Sequence, residues 1–495
     1  MEKFRLSKSK YCMGVQCPRL LWLKENKPEL FDSSVIDQAV LNNGNEVGDL
    51  AMGLFGDYVE VPYDKDLTKM ISETERLMNE GVGIICEASF SYDGLFCSVD
   101  ILKNLGDGHV EIYEVKSSTH FNEIYDDDIA FQNYLLTNLG YKVDGVYLVH
   151  INKEYVRHGD LDLQELFKIV DMKSDAEFLY DMVGRRIAGL RECMEKTEEP
   201  SMYIGGQCIS SNNRCGFWCH CTEHLPSPNI FDLAGLGIET KLNYLVKEKV
   251  SFEELLAENK LNAKCIQQMR HELEDLPAEI DLESIRGFLG TLSYPMYFLD
   301  FESFAPAVPR FDETKPYMQI CFQYSLHYIE HEGGELKHKE FLAYPGDDPR
   351  RALCEQLCRD IPKDVCVLAY NKGFECARIR EMAELYPDLR EHLLNIRDNI
   401  KDLMSPFQGR KYYCRAMKGS YSIKYVLPAL YPDDPSLDYH NLEGVHNGGE
   451  ASATFLRMSD MNPEELEEYR GHLLKYCGLD TYAMVKVWEK LKEAV

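Results

Sequence analysis

Apolar residues recur along this chain with two periods. Between about 228 and 290 they fall three and four apart, as in FDLAGLGIETKLNYLVKEKVSFEELLAENK, which predicts amphipathic helices. Ser251 followed by Glu254 is the side-chain pair that caps a helix start. From about 291 the pattern alternates. YFLDFES (297–303), MQICFQYSLHYIE (318–330) and LKHKEFLAYPG (336–346) read as an antiparallel set of strands. VCVLAYN (365–371) reads as a buried strand running into the helix KGFECARIREMAELY. KGSYSIKYVLPALY (418–431) fits a turn and helix, and LLKYCGLDTYAMVKVWEKL a long amphipathic helix. Nearer the N-terminus, GLFCSVDILKNLGDGHVEIYEVKSST (94–119) reads as a hairpin whose turn glycines permit positive φ. DDIAFQNYLL then follows as a helix.

These patterns predict an α/β chain of three regions: 1–225, strand-rich and bracketed by cysteines; 226–290, a helical connector; and 291–495, alternating strands and helices. A length of 495 residues exceeds what one core usually serves. HLPSPNIF (224–231) is the best linker candidate, and no repeat or low-complexity tract is present. The start MEKFRLSKSKYCMGV lacks the apolar core of a signal peptide and no run reaches membrane-span length, so the expected setting is the cytoplasm. The net charge of −29 argues against a generally basic nucleic-acid coat but leaves room for a local basic groove.

The chemistry lies in acids placed where hydrophobes belong. Strand residues two apart share a face, so Asp300 and Glu302 face one way and Tyr297, Leu299 and Phe301 the other. Two carboxylates so close repel and lose hydration, and a divalent cation resolves both problems; a strand with one wet face is the bland alternative. Glu375 opens a helix, and Tyr476 and Asp480, four apart, face the same way on another. In the hairpin, counting back from the turn sets Asp100 opposite Glu114, with Lys116 on the same face as Glu114. A surface salt bridge would also explain those three. The β-forming neighbours Val99, Ile101, Val110, Ile112 and Val115 favour a central position.

Seventeen cysteines are many for a reducing compartment, where clustered thiols point to metal rather than disulfides. YCMGVQCPRLLWLKEN (11–26) opens the first region and QCISSNNRCGFWCHC (207–221) closes it, the latter with four cysteines in fourteen residues. Ligands split this way would staple the ends of the region together. Four thiolates suit zinc or an iron–sulfur cluster equally.

Three of these motifs in this order resemble the DnaQ-like 3′–5′ exonucleases on an RNase H-like fold. Asp300 and Glu302 match the family's Asp-x-Glu, Asn371-Lys-Gly-Phe374-Glu375 its second segment, and Tyr476 with Asp480 its Tyr-x-x-x-Asp. Glu375 stands where the family usually has Asp, and His472 is not at the spacing of the histidine variant, so the tyrosine version, DEDDy, is the better match. The resemblance implies Mg²⁺ or Mn²⁺ held by Asp300, Glu302, Glu375 and Asp480, with Tyr476 positioning the attacking water.

EVKSS after the Asp100 strand resembles the PD-(D/E)XK nucleases on a restriction-endonuclease-like fold. That resemblance implies Asp100 and Glu114 as metal ligands and Lys116 as the group that helps activate water. Gln132 stands where RecB-type members place a glutamine, Tyr134 is closer to it than usual, and Glu46 in NNGNEVGDLA takes the place of the first-motif acid or histidine. The cysteine bracket resembles the RecB-like nucleases with a 4Fe–4S cluster, including CRISPR-associated and AddB types. It implies Cys17, Cys208, Cys215 and Cys221 as ligands, with Cys219 the main competitor and Cys12 a spare. The whole is similar to bacterial fusions of an iron–sulfur RecB-like domain with a DnaQ-like domain. The expected function is a metal-dependent nuclease acting on nucleic acid, single-stranded or end-containing DNA, in repair, recombination or defence, with no membrane partner. The alternatives are a single active site beside a nucleic-acid-holding module, or a non-catalytic iron–sulfur scaffold or redox-responsive binding protein.

Overall fold

A computed structural model describes residues 6–36, 38–209 and 214–495. The first five residues of the start weighed above as a leader lie outside the described residues. The chain is mixed α/β and divides into two units: Met1–His224 with Pro306–Met318, and Leu225–Ala305 with Gln319–Val495. The helical segment 226–290 is thus counted in the second unit.

The first unit is built on a seven-stranded mixed sheet. Its strands are β1 (Leu6–Ser7), β2 (Val59–Glu60), β3 (Ile84–Tyr92), β4 (Leu95–Gly106), β5 (His109–Lys116), β6 (Lys142–Ile151) and β7 (Phe167–Asp171). Their order is β2-β3-β4-β5-β6-β7, with β1 parallel to β4. β3, β4 and β5 form an antiparallel meander, turning at Asp93–Gly94 and again at Asp107–Gly108, all four at positive φ. β6 runs parallel to β5, so the chain crosses over through a helix. The helices are α1 (Lys8–Gln16), α2 (Pro18–Asn26), α3 (Gln38–Ala51), α4 (Leu67–Asn79), α5 (Ile124–Asn138) and α6 (Lys173–Met194). Apolar residues of α1, α4, α5 and α6 form one core with the sheet, including Tyr11, Met70, Phe131 and Val183 against Leu102, Val110 and Ile112. Val47 and Ala51 of α3 cover the other face with Ile101, Tyr113 and Val149. Pro306–Met318 is held in this unit by Arg310 on Glu46 at 3.0 Å and by Tyr317, which donates to the Ser117 carbonyl.

In the second unit the strands are β8 (Glu279–Ile280), β9 (Met296–Phe304), β10 (Ile320–Ile329), β11 (Lys337–Leu342), β12 (Cys366–Ala369), β13 (Ile400–Asp402) and β14 (Tyr412–Tyr413). Five make a sheet in the order β11-β10-β9-β12-β13, and β8 pairs with β14 in a separate ribbon. β9, β10 and β11 are antiparallel neighbours; β12 is parallel to both β9 and β13. The helices are α7 (Ile238–Val246), α8 (Phe252–Glu258), α9 (Ala263–Glu274), α10 (Leu282–Leu289), α11 (Arg350–Asp360), α12 (Gly373–Leu385), α13 (Arg390–Asp398), α14 (Ile423–Leu430), α15 (Gly448–Arg457) and α16 (Pro463–Glu493). Ser251 caps α8 through the reciprocal bond with Glu254 that the sequence predicts.

The period of two along β9 decides what each face meets. Tyr297, Leu299 and Phe301 join a core with Leu353 and Leu357 of α11, Ile379 of α12 and Ile396 of α13. Phe298 and Phe304 face the other way, Phe298 edge-on to Trp488 of α16 and Phe304 stacked on Phe455 of α15. Asp300 and Glu302 share this second side. Both faces of β9 are therefore packed, with Glu302 buried and Asp300 half-buried.

Candidate metal centres

The first centre lies in the second unit. β9 presents Asp300 and Glu302, and α16 presents Tyr476, Cys477 and Asp480. Ligand atoms of Asp300, Glu302 and Cys477 all lie within 4.8 Å of one another. Burial pushes Asp300 well above the usual carboxylate range, and Asp480, Glu302 and Glu375 push it the same way. Acids from three sequence segments thus act on Asp300, while Asp402 acts on Glu375. Glu302 is raised to about 8, by burial and then by Asp480. Asp480 is raised to about 6, again mainly by burial, against hydrogen bonds from Tyr439 and Tyr476 that favour its charged form. Burial also lifts Glu375, at the start of α12, to about 7, and its Oε2 is buried without a hydrogen-bond partner.

Such a set is costly empty. Carboxylates crowded away from water repel one another and lack the donors that would replace hydration. The donor set, oxygen-rich with one orphaned carboxylate oxygen, fits a hard divalent cation. Tyr476 is buried beside Asp480.

The sequence reading missed three features here. Tyr439 donates to Asp480 Oδ1 at 2.7 Å. Lys424 of α14 acts on both Glu302 and Asp480 as the nearby positive charge. Gly448, the first residue of α15, lies against Glu302: a Cβ there would sit 3.5 Å from Glu302 Oε2, in ordinary contact. None has a spacing signal relative to the acids, because all three come from irregular connections or the starts of other helices.

The second centre lies in the first unit. Ile101 pairs with Tyr113, which brings Asp100 level with Glu114. The Val115 amide donates to Asp100 Oδ2 at 2.6 Å. Lys116 Nζ reaches Glu114 Oε1 at 2.7 Å and Asp128 Oδ2 at 2.6 Å. Gln132 Nε2, from α5, donates to Glu114 Oε2 at 2.6 Å. The four residues Asp100, Glu114, Lys116 and Gln132 therefore converge. Burial and the Glu114 charge lift Asp100 to about 7. Burial opposes ionisation of Glu114 too, but Lys8 and Lys116 outweigh it and hold its carboxyl down to about 2.

Glu46 is placed differently: it pairs with Arg310 at 3.0 Å. The acid beside Asp100 is instead Glu87. It falls opposite Asp100 on β3, between the pairs Cys86–Ile101 and Ala88–Val99, at φ +55°. Burial raises it first, Lys8 opposes, and Glu114, Glu60 and Asp49 of α3 add to the rise. Lys8 and Asp128 were also missed; Asp128 carried a legible signal, standing four before Gln132 on the same face of α5. Tyr134 packs on Tyr180 at 4.9 Å between ring centres.

The cysteines form a third constellation. Cys17 ends α1, Cys208 closes a single 3₁₀ turn, and the Cys215 amide bonds the Cys208 carbonyl at 2.8 Å. Burial pushes the Cys221 thiol up to about 11, and Cys215, Cys208 and Cys17 all add to it while Arg19 opposes. Cys208 likewise feels Cys17 and Cys215. The four thus act on one another. Cys219 is exposed, and Cys12 turns elsewhere, donating to Asp128 Oδ1 at 3.0 Å. A clasp fastens the bracket: Glu199 takes Arg19 Nε at 2.6 Å, Lys27 at 3.0 Å and His220 at 3.0 Å.

Residues 297–422, which begin on β9 and include Glu375, match the model of a family described as "Domain of unknown function (DUF2779)". The chain is also similar to "Uncharacterized protein UU173" of Ureaplasma parvum serovar 3 (strain ATCC 700970), at 26% identity over 248 residues. That stretch is 46% of this chain and 34% of the relative, so the chain covers about a third of that protein's length. No helix among the described residues is long and apolar enough to cross a membrane.

Proposed function

We propose that this protein is a metal-dependent phosphodiester hydrolase: a DnaQ-like 3′–5′ exonuclease centre in the second unit, joined to a RecB-like PD-(D/E)XK centre with a cysteine-held cluster in the first. The observation that carries the reading is that Asp300 and Glu302 of β9 bring ligand atoms within 4.8 Å of each other and of Cys477, while Asp480 and Glu375 both act on Asp300. A scaffold gains nothing from four such acids, two of them buried and two half-buried; a metal site uses them.

Asp300, Glu302, Glu375 and Asp480 would hold divalent ions, which when bound supply Lewis-acid stabilisation of the phosphate and a more acidic water. The protein's own part is orientation. Tyr439 and Tyr476 fix the carboxylate of Asp480, and the Tyr476 hydroxyl offers a donor–acceptor beside it for the attacking water. In the first unit Asp100 and Glu114 would be the oxygen ligands. Lys116, bridging Glu114 and Asp128, is placed to hold or move a proton. Cys17, Cys208, Cys215 and Cys221 fit a 4Fe–4S cluster or zinc by donor chemistry; the resemblance favours the cluster, in a structural role that closes the bracket.

A second reading, with only the DnaQ-like centre active, is favoured by one observation. Lys8, Lys116 and Gln132 already occupy both oxygens of Glu114. The test uses anaerobically purified protein with 3′- and 5′-labelled single- and double-stranded DNA and RNA oligonucleotides in Mn²⁺ or Mg²⁺. Stepwise 3′ shortening lost with Asp300→Ala supports the first centre. Residual cutting lost with Glu114→Ala supports the second. No cleavage by folded, metal-loaded protein would sink the proposal.

A further inference from the structure

Glu114 is saturated. Its Oε1 accepts Lys8 Nζ at 2.9 Å and Lys116 Nζ at 2.7 Å. Its Oε2 accepts Lys8 Nζ at 2.8 Å and Gln132 Nε2 at 2.6 Å. An ionised carboxylate offers about four lone-pair positions, so these four contacts leave no position for a metal. One donor must leave before the carboxylate can serve as a ligand.

The three donors differ in what holds them. Gln132 is fully buried and also bonds the Asp128 carbonyl of its own helix at 3.3 Å. Lys116 is anchored a second time by Asp128. Lys8 stands at the first position of α1, on a flexible four-carbon stem, and its side chain keeps 17% of its surface open. It can withdraw by side-chain rotation alone. Its removal without a replacement cation would be costly, because Lys8 is the cation that acts on Asp100 and Glu87, whereas Lys116 pairs with Glu114 and Asp128.

We propose that Lys8 is a tethered cation that competes with a divalent ion for the Glu114 carboxylate and yields it when the ion enters. This inference rests on reading Asp100 and Glu114 as metal ligands. It makes occupancy of the centre a competition between an ammonium and the ion. It also releases a positive charge beside the site at the moment an anionic phosphodiester would bind. Lys8 lies outside every motif the sequence reading used, and only the fold brings α1 onto the β5 acids.

The experiment is a Mn²⁺ titration, followed by calorimetry and by the resonance of free Mn²⁺, on full-length protein carrying Asp300→Ala to silence the other centre. Lys8→Met in that background is expected to bind Mn²⁺ roughly tenfold tighter or more, since one competing charge is gone. Equal affinity with and without Lys8 overturns the proposal. A Glu114→Ala protein that binds Mn²⁺ unchanged overturns the metal-ligand reading beneath it, a separable result. Amine acylation of Lys8 in otherwise unaltered protein, read by peptide mass spectrometry, covers the case where Lys8→Met fails to fold. Added Mg²⁺ should raise labelling of Lys8 several-fold; labelling independent of Mg²⁺ overturns the proposal.

Discussion

Tyr439 and Asp480, 41 positions apart, share a hydrogen bond of 2.7 Å that only the folded second unit can make. Tyr439 is buried in a short 3₁₀ turn, and its ring lies 6.1 Å from that of Tyr476. Tyr439 therefore holds the carboxylate, with Tyr476 beside it. A hydrogen bond to a charged group contributes about 1.5–3 kcal/mol. If part of that is spent on orienting Asp480, Tyr439→Phe slows 3′ shortening about tenfold in single-turnover assays without unfolding the protein. An unchanged rate would show that Tyr476 alone suffices.

On the proposed reading, Asp300 is a ligand kept at the expense of stability. It is pushed up by burial and by three neighbouring acids. Asp300→Asn keeps the shape and removes the repelling charge. In metal-free protein it is expected to raise stability by about 0.5–2 kcal/mol while abolishing 3′ shortening. Thermal unfolding in chelator, beside the cleavage assay, checks both halves. A loss of stability would mean that Asp300 is a structural acid with partners of its own.

Asp360 shows the opposite arrangement. It ends α11 and accepts from Tyr324 at 2.6 Å, Lys339 at 3.0 Å and Gln356 at 3.1 Å. Burial alone would raise its carboxyl, but these donors outweigh it and hold it below the usual value. A depressed carboxylate stabilises the fold above its unfolded value, near pH 4, and that contribution fades as pH falls through the lower folded value. Asp360→Asn should therefore cost about 1.5–3 kcal/mol at neutral pH, and the gap to the unaltered protein should narrow below about pH 4. Denaturant melts at pH 7 and pH 3 measure it.

What could be read from sequence was what depends on period and spacing. The strand alternation at 297–303 placed Asp300 and Glu302 on one side, and the four-residue step placed Tyr476 with Asp480. The hairpin count placed Asp100 level with Glu114, because a two-strand register is set by its turn. What stayed hidden comes from elsewhere in the chain. Lys8 and Glu114 are 106 positions apart and meet because α1 packs on the same sheet face as α5. Glu46 was chosen by its place in a motif, yet Arg310, from a segment between β9 and β10, claims its carboxylate. Glu87 had no motif at all; only its cross-strand position opposite Asp100 marks it.

The cysteine bracket gives the last prediction. Cys17, Cys208, Cys215 and Cys221 influence one another, whereas Cys219 is exposed. Cys219 and Cys221 lie on one short turn, Trp218–Thr222, so their replacement by serine perturbs the same local structure. Cys221→Ser should lower bound iron or zinc per chain and reduce the unfolding temperature of the first unit, because the thiolates would no longer close the ends of that region. Cys219→Ser should leave both unchanged. Metal analysis and visible absorbance of anaerobically purified protein read the first quantity, and calorimetry the second. If the two variants lose metal equally, the ligand set includes Cys219. If neither does, the bracket is held by the Glu199 clasp with Arg19, Lys27 and His220 rather than by metal.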